Sequence, residues 1–356
     1  MTRPTVPATL EELLDTNWLS AALRLQYPGI EVDRVTRGPI VSRVSTNARF
    51  SIGCRNGLPN GLSPALCAKG YFAKDQQDLA WVGEPEARFY ATIADATGVR
   101  TLRCVYADVH PETRHGVIIT EDVIAAGGTF LDALSPYSVE KVAESLEQYA
   151  RLHAGTWGDA GPTDEWLTSR FSPSSSPGAS GFTALRGVEH VRANFEGPVG
   201  VDVAEEVRTD PQRVVDAMGA LNSLERQAGL AVVHGDAHVG NVFLDAAGRP
   251  SLVDWQVVHR NHWSIDVAYH VASALDTSDR RQSERDLLAH YLERLRANGV
   301  DAPSWERAWD DYRTAIAYGV FMWAITLLVD PKIIQRMLQR LTTAAADHDS
   351  FGRLGV

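Results

Sequence analysis

One short segment of the chain concentrates side chains that can do acid–base and metal chemistry. It reads His234-Gly-Asp-Ala-His-Val-Gly-Asn241, and Asp254-Trp-Gln256 follows it closely. Oxygens such as those of Asn241 and Asp254 suit Mg²⁺, which takes one or two protein oxygens and completes its octahedron with water and substrate phosphates. Asp236 is a further carboxylate beside them, placed to accept a proton from a hydroxyl group. The segment therefore predicts a magnesium site next to a general base.

A β-hairpin is expected to bring the two metal ligands together. Two apolar triplets flank the turn residues Asp245–Pro250, which is the pattern of a hairpin. If Val242 pairs with Val253, then Asn241 lies directly opposite Asp254. Directly opposed residues are about 4.5–5.5 Å apart, so one cation could bridge both side chains.

Three other interpretations of this segment are open. His234 and His238, with His259 and His262 nearby, have the residue types of a zinc cluster. The glycines of the segment argue against the helix that such a histidine pair needs, and histidines that brace a tight turn are the alternative. A serine hydrolase would need a Gly-x-Ser-x-Gly turn, which the sequence lacks. A plain buried hairpin would leave its clustered carboxylates without partners, which is costly.

The first third of the chain offers a lysine and a glutamate that fit each other. Lys69 interrupts an otherwise apolar strand pattern at Leu66–Phe72, whereas Lys74 lies beyond the strand and is expected to face water. Glu86 lies on the apolar face of a predicted helix, where an unpaired carboxylate would be costly. A Lys69–Glu86 ion pair explains both positions, and Glu84 is expected to be solvated.

Composition places the chain among globular proteins with two domains or one large bilobed domain. It has 356 residues, of which 44% are apolar and 22% are charged, so it can bury a sizeable core and wholesale disorder is excluded. The formal charge of −11 argues against a general nucleic-acid binder, which needs a basic face. Three cysteines, at 54, 67 and 104, match no zinc spacing and favour a reducing compartment.

Neither a secretory signal nor a membrane span is expected. The N-terminal residues lack the apolar stretch of a signal peptide. The most apolar window, Ala315–Val329, is shorter than the ~20 residues of a membrane helix and is predicted to be a buried helix. Together with the cysteine count, this favours a cytoplasmic protein with no membrane partner.

The predicted elements divide the chain at about residue 125. Strand patterns dominate before this point, and helices dominate after it, with a low-complexity loop at 157–183. Ser135-Pro136 is expected to start a helix that runs to residue 154. The remaining predictions are helices at 9–26, 85–95, 203–228, 279–298, 303–328 and 331–346, and strands at 41–54, 66–72, 102–108 and 116–121.

The Asp-x4-Asn spacing and the later aspartate resemble the catalytic loop and the metal-binding aspartate of kinases. More closely, the segment resembles the aminoglycoside phosphotransferase and choline kinase superfamily, whose signature is His-Gly-Asp-x-His-x-x-Asn followed by Asp-(Phe/Trp)-(Glu/Gln). The Asp-Trp-Gln form leans toward the ecdysteroid-kinase-like branch. Asp266 resembles the family's aspartate that braces the catalytic loop, and Leu152-His-Ala154 resembles a scaffold motif of the family.

One part of the family pattern is missing. There is no Gly-x-Gly-x-x-Gly nucleotide loop. The corresponding turn is expected at Ser42–Asn47, with small hydroxyl residues in place of glycines, and no residue of this turn is assigned to phosphate. Ile118–Val123 resembles the inter-lobe hinge, where backbone groups would meet the adenine edge.

The resemblance implies an α+β, bilobed protein-kinase-like fold, with a small β-rich N-lobe at 1–125 and a larger, mainly helical C-lobe at 126–356. It implies an ATP- and Mg²⁺-dependent phosphotransferase that moves the γ-phosphoryl group to a hydroxyl of a small molecule. It also implies a role for each site residue: Asp236 as catalytic base, Asn241 and Asp254 on Mg²⁺, Lys69 held by Glu86 on the α/β-phosphates, and His234, His238 and Asp266 in support.

The identity of the acceptor is open at this point, as is the oligomeric state. Aminoglycoside-, choline-, sugar- and steroid-like acceptors all fit the resemblance. A non-catalytic nucleotide-binding module (a pseudokinase) is the alternative function, although the intact Asp236 favours an enzyme. A protein kinase is disfavoured, because the helical part lacks Asp-Phe-Gly and Ala-Pro-Glu. Candidate acceptor-lining residues are Trp305, Trp309, Asp310, Tyr312 and the loop at 170–180.

Overall fold

The computed structural model describes residues 3–158, 161–168, 187–223 and 229–356. The loop segment at 170–180, which was predicted to line the acceptor site, lies outside the described residues. Within the described ranges, no helix has both the length and the apolar character needed to cross a membrane.

An antiparallel sheet of five strands forms the N-terminal part of the chain. Its spatial order is first, second, third, fifth and fourth strand. The second and third strands bury every second side chain, so one face of the sheet covers a core. The strands are β1 (Val32–Ser42), β2 (Thr46–Cys54), β3 (Ala65–Gly70), β4 (Cys104–Val109) and β5 (Gly116–Glu121).

Two short helices cover this sheet where one long helix was predicted. They are α1 (Leu10–Leu13) and α2 (Thr16–Leu23). The predicted helix at 9–26 is interrupted because the Asp15 carboxylate accepts the backbone N–H groups of Asn17 and Trp18 and so starts a new helix. Apolar residues of both helices pack with the sheet into one core.

Helix α3 (Glu84–Thr92) connects the sheet to the rest of the molecule. It follows β3 after a 3₁₀ segment, Lys74–Gly83, and a short helix, α4 (Ala94–Thr97), continues it. Phe89 of α3 is fully buried and belongs to the larger core, which is otherwise built mainly by the C-terminal part. The helix predicted at 85–95 is therefore present, in two pieces.

Helices dominate the C-terminal part. Helix α9 (Ser264–Ala274) is buried along its whole length and lies at the centre of the large core. The others are α5 (Val139–Ala154), α6 (Val188–Glu196), α7 (Glu205–Arg208), α8 (Pro211–Ser223), α10 (Thr277–Ala297), α11 (Trp305–Ala324), α12 (Pro331–His348) and α13 (Ser350–Arg353).

Short strands interrupt this helical part at the segment that carries the candidate chemistry. Strands β6 (Thr129–Phe130), β8 (Val242–Leu244) and β9 (Pro250–Leu252) form one small sheet, and β7 (Leu230–Val233) pairs with β10 (His259–His262).

The predicted start of α5 at Ser135-Pro136 is wrong by three residues. Ser138 is the N-cap, and its hydroxyl accepts the N–H of Lys141. The Ser135 hydroxyl instead accepts the N–H of Asp132 and stabilises a preceding turn. The division of the chain at residue 125 stays a prediction.

Candidate active site

The predicted hairpin is present, but its register differs by one residue. Val242 pairs with Leu252, and the N–H of Val253 donates to the carbonyl of Asn241. The shift arises because Pro250 is the first residue of β9 rather than the last residue of the turn, a position that suits a residue without an N–H. Direct pairing of Asn241 with Asp254 was therefore a wrong prediction.

Asp254 lies two residues beyond the end of β9 and adopts a left-handed backbone conformation, with φ 66° and ψ 65°. Non-glycine residues rarely adopt this conformation, and where they do, the surrounding structure holds them there. The conformation turns the chain out of the strand direction, so strand alternation does not set where this side chain points. Asp254 is 43% exposed, and its carboxylate accepts a hydrogen bond from Lys69.

The carboxylate of Asp236 is held from two sides. Asn241 Nδ2 donates to the carbonyl of Asp236 (2.8 Å) and to its Oδ2 (3.0 Å), and the Tyr269 hydroxyl donates to Oδ1 (3.1 Å). His238 Nε2 lies 3.5 Å from Oδ2. The Asp236 side chain is nevertheless 26% exposed, so it is fixed in direction and still reachable from solvent.

Burial raises the pKa of Asp236, but the nearby His238 and His234 and the Asn241 hydrogen bond outweigh it, and the net pKa lies below the usual aspartate range. The group is therefore ionised at neutral pH and can accept a hydrogen bond from a hydroxyl. Tyr269 is a contact that the sequence interpretation missed. A signal was available, because Tyr269 lies three residues after Asp266 on the same helix, and such residues share a face.

Asp266 braces the turn that carries Asp236. Its Oδ2 accepts the N–H of His234 (2.6 Å), and its Oδ1 accepts the N–H of Gly235 (2.9 Å). His153, from the Leu-His-Ala motif, lies 3.2 Å from Oδ2. Asp266 is fully buried, and these hydrogen bonds lower its pKa despite the opposing effect of burial. The geometry fits the bracing position implied by the family resemblance.

His234 and His238 contact the backbone of the turn. His234 Nε2 donates to the Val253 carbonyl (2.8 Å), so its Nδ1 accepts the Asp236 N–H (3.2 Å). His238 Nδ1 accepts the Gly240 N–H (3.0 Å). In the part of the chain that the structure describes, no three His, Cys, Asp or Glu side chains converge as a metal site.

Gly235 is a glycine that the turn requires. Its φ is +78°, and a Cβ at this position would lie 2.5 Å from the Val257 carbonyl oxygen. The Tyr318 hydroxyl donates to the Gly235 carbonyl (2.7 Å). Both backbone polar groups of Gly235 are thus hydrogen-bonded, the N–H to Asp266 and the carbonyl to Tyr318.

Lys69 lies between two carboxylates from different parts of the chain. Its Nζ is 2.7 Å from Glu86 of α3 and 2.9 Å from Asp254 beyond the hairpin. Burial disfavours the ammonium charge, but the two carboxylates outweigh it and raise the pKa of Lys69. Burial raises the pKa of Glu86, and Lys69 opposes that shift. The ion pair expected from the sequence is present, and Lys74 is exposed as expected.

Trp255 connects the hairpin to α3. Its ring stacks on Phe89 with centroids 3.8 Å apart, and its Nε1 donates to the Thr101 hydroxyl (3.0 Å). Because Phe89 lies one helical turn after Glu86, this contact fixes the glutamate's helix next to Asp254. Large buried aromatic contacts of this kind contribute strongly to packing.

One expectation about another side chain was wrong. Glu84 is buried rather than solvated, because it forms ion pairs with Arg88 and Arg114.

The acceptor-lining role of Trp309 stays a prediction. Its ring is packed between Trp305 and Tyr312 and is covered by Arg285. Trp323, on the same helix, approaches His238, with ring centroids 5.3 Å apart.

A contact between the residue that follows β3 and the segment that follows the hairpin was also not predicted. Gln256 Nε2 donates to the Tyr71 hydroxyl (2.9 Å). Lys69 and Tyr71 are two residues apart, as are Asp254 and Gln256, so the two contacts run side by side. The third residue of Asp-Trp-Gln therefore links the two parts of the chain.

We expect Tyr71→Phe and Gln256→Leu each to lower the free energy of unfolding by about 1 kcal/mol, because each removes one partner of this hydrogen bond. The double variant should lose less than the sum of the two, by about 0.5 kcal/mol or more, because the partners act as a unit. Urea unfolding of the four proteins measures this coupling. Strictly additive losses would show that the hydrogen bond contributes nothing.

The donor set fits a magnesium ion. Asp254 supplies a partly exposed carboxylate, and Asn241 directs its Nδ2 to Asp236, so its Oδ1 is the atom not used in those bonds. Hard oxygen donors in this small number are what Mg²⁺ accepts when phosphates and water complete its shell.

A family model described as ecdysteroid kinase-like matches residues 189–300, about a third of the chain. The matched residues include the whole segment from His234 to Asp266. No curated protein matches the chain significantly.

Two solved structures share the fold at low sequence identity. A choline kinase from Cryptosporidium parvum Iowa II is 12% identical, with a TM-score of 0.56, and the match covers 95% of this chain and 98% of that one. An ethanolamine kinase from Plasmodium vivax is 12% identical, with a TM-score of 0.51, over 90% of this chain and 83% of that one. The resemblance predicted from the His-Gly-Asp segment is therefore confirmed: residues 189–300 match the ecdysteroid kinase-like family, and the chain has an α+β, kinase-like fold.

Proposed function

We propose that the protein is a small-molecule kinase that transfers the γ-phosphoryl group of ATP to a hydroxyl group. The observation that carries the proposal is the position of Lys69, whose ammonium lies between Glu86 of the N-terminal part and Asp254 of the C-terminal part. A fixed cation facing a partly exposed carboxylate is what binding of a metal–triphosphate requires.

In this proposal, each side chain has a task that its surroundings support. Asp236, ionised and held by Asn241 and Tyr269, accepts the hydrogen bond and then the proton of the acceptor hydroxyl. Lys69, held by Glu86, contacts the α- and β-phosphates. Asn241 and Asp254 would hold Mg²⁺, whose charge neutralises the phosphates when it is bound.

Catalysis of this kind depends on positioning and electrostatics more than on covalent chemistry. The buried brace at Asp266 and the stacked Trp255 support the proposal, because they leave the turn and the hairpin few alternative positions. The acceptor hydroxyl would approach Asp236 on the side of His238 and Trp323. Aminoglycoside-, choline-, sugar- and steroid-like alcohols are all candidates.

The test is ADP production from Mg-ATP with a panel of hydroxylated small molecules and a protein substrate as control. We expect one class of small alcohols to raise ADP production and to be recovered as a phosphate ester. Nucleotide binding without turnover on any acceptor would favour the non-catalytic module. Phosphorylation of the protein substrate alone would contradict the small-molecule assignment.

A metal-dependence experiment tests the role of Asp254. Its carboxylate accepts a hydrogen bond from Lys69, and in this proposal it also binds the metal of Mg-ATP. We expect Asp254→Ala to remove most of the Mg²⁺ dependence of ATP binding in calorimetric titrations with and without the metal. Asp301→Ala, at an exposed position, is the control. An unchanged Mg²⁺ dependence in Asp254→Ala would reject the metal assignment.

A further inference from the structure

The turn between β1 and β2 lies beside the lysine of the proposed site. Thr46 pairs with Gly70, and Asn47 pairs with Lys69 on the neighbouring strand. The strand β1 ends at Ser42 and β2 begins at Thr46, so residues 43–45 form a turn just beyond the lysine's strand. This is the turn that the sequence interpretation left without a phosphate-binding residue.

A buried glutamine from a different segment is bonded to this turn. Gln76 follows β3 in the 3₁₀ segment and is only 3% exposed. Its Nε2 donates to the Ser42 hydroxyl and to the Arg43 carbonyl, both at 2.9 Å. Its Oε1 accepts the Thr46 hydroxyl (2.9 Å) and the N–H of Ala73 (3.3 Å). All four hydrogen bonds that the amide can make are therefore formed.

The three side chains form a closed ring of hydrogen bonds. Because the Thr46 hydroxyl donates to Gln76, the contact between Ser42 Oγ and Thr46 Oγ1 (3.2 Å) requires Ser42 to be the donor. Gln76 in turn donates to Ser42. Each hydroxyl proton is thus already used inside the ring. The two hydroxyls hold the shape of the turn and are not available as donors to a phosphate.

A turn with this bonding differs physically from a glycine-rich loop. Glycine-rich loops have many backbone conformations and lose that freedom when they close on phosphate. A turn whose two ends are hydrogen-bonded to a buried amide has lost this conformational freedom before a ligand binds. Such pre-organisation lowers the entropic cost of binding. The Arg43 N–H also donates to the Ser45 carbonyl within the turn (2.9 Å).

We propose that Gln76 is a positioning residue that holds the Ser42–Thr46 turn in the form that binds the phosphate chain of the nucleotide. The proposal rests on the proposed function, because it assumes that a nucleotide binds beside Lys69. Gln76 itself does not touch the nucleotide. In this proposal the turn faces the phosphates and not the base. Gln76 should therefore increase the affinity for ADP and ATP but not the affinity for adenosine.

The experiment compares Gln76→Met with Gln77→Met. Methionine keeps a side chain of similar length without hydrogen bonds, and Gln77 is the exposed neighbour on the same segment, which makes it a matched control. Dissociation constants are measured for adenosine, ADP and ATP, together with KM for ATP and kcat. Thermal unfolding of each variant reports any general loss of stability.

We expect Gln76→Met to weaken ADP and ATP binding about tenfold, a change that corresponds to the loss of one or two hydrogen bonds. Adenosine binding should stay unchanged, and KM for ATP should rise more than kcat falls. Thr46→Val should reproduce the effect because it removes the hydroxyl, and Thr46→Ser should restore binding. Gln77→Met should behave as the wild type.

Equal weakening of adenosine, ADP and ATP would overturn the inference, because it would show a general structural role. Unchanged ATP binding in Gln76→Met and Thr46→Val would overturn it as well. If Gln76→Met does not fold, the comparison of Thr46→Val with Thr46→Ser tests the inference instead. Equal ATP affinity of these two variants would then overturn it. A wild-type protein that binds no nucleotide would overturn the proposed function and this inference together, whereas a nucleotide-binding wild type with insensitive variants overturns the inference alone.

Discussion

Asp236→Ala is expected to lower the rate of phosphotransfer by about 10²–10⁴-fold, the usual contribution of a positioned general base. Nucleotide binding should stay close to that of the wild type, because the residues proposed to contact the phosphates and the metal, Lys69 and Asp254, lie on other segments, and Glu86 holds Lys69 in place. The loss should therefore fall on kcat. A rise in KM for ATP without a fall in kcat would contradict the assignment of Asp236 as the general base.

The pH profile gives this prediction a second readout. Burial opposes ionisation of Asp236, but its neighbours lower the pKa below the usual aspartate range. A base works in its deprotonated form, so its activity is present above the folded-state pKa and is lost below it. Asp236 should therefore not limit the rate between pH 5 and 8. A loss of activity as the pH falls within that interval must come from another group.

Two variants complete the design of the Asp236 experiment. Asp236→Asn keeps the shape and the Tyr269 contact while removing the charge, and it should lose nearly as much rate as Asp236→Ala. Asp301→Asn makes the same chemical change at an exposed position and should be neutral. Full turnover by Asp236→Asn on an established acceptor would remove Asp236 from the catalytic step.

The Lys69–Glu86 pair shows what the sequence could predict. Each residue was anomalous in its own segment, a charge on an apolar strand and a carboxylate on an apolar helix face, and pairing resolved both anomalies at once. The ion pair is present at 2.7 Å. Buried charges are costly when unpaired, so local patterns carried information about a contact between distant residues.

The hairpin shows where that kind of inference ends. Two apolar triplets around a turn predicted a hairpin over residues 242–253. The hairpin is present, with strands at Val242–Leu244 and Pro250–Leu252, but its register depended on whether Pro250 belongs to the turn or to the strand. A shift of one residue changes which side chains are opposed. The left-handed conformation of Asp254 then sets its direction, and no pattern of apolar and polar residues encodes that conformation.

Contacts made by neutral polar side chains were harder still to predict. Gln76, Tyr71 and Gln256 each join segments that are far apart in sequence, through hydrogen bonds that leave no periodic signal. An uncharged amide is ordinary at an exposed position, so nothing marks it as buried before the fold is known. The prediction that Glu84 is solvated was wrong for a related reason. Arg88 lies one turn later on the same helix, but the second partner, Arg114, lies on a distant segment that the helix pattern could not indicate.

Asp266 gives the largest expected effect on stability. Its carboxylate accepts the N–H groups of His234 and Gly235 at the start of the turn that carries Asp236. Asp266→Ala leaves these two buried donors without a partner, and removal of one member of a buried charged network costs about 3–5 kcal/mol. Asp266→Asn keeps the shape and one acceptor oxygen, so a smaller loss of about 1–3 kcal/mol is expected.

The loss of stability caused by Asp266→Asn should become smaller as the pH falls into the acid range. Burial raises the pKa of Asp266, but the hydrogen bonds from His153 and from the turn lower it by more than burial raises it. The folded-state pKa therefore lies below the unfolded-state pKa. Such a carboxylate stabilises the fold fully above the unfolded-state pKa of about 3.9, and the stabilisation is lost as the pH falls through the folded-state pKa. The difference in unfolding free energy between wild type and Asp266→Asn should therefore be constant near neutrality and shrink in acid.

Urea unfolding of wild type and Asp266→Asn between pH 3 and 7 measures this difference, with Asp286→Asn, at an exposed position on α10, as the control. Activity reports on the turn independently, because a loosened turn misplaces Asp236 even where the protein stays folded. We expect Asp266→Asn to lose rate at temperatures well below its unfolding transition. A variant that is as stable and as active as the wild type at pH 7 would show that the turn holds its shape without this carboxylate.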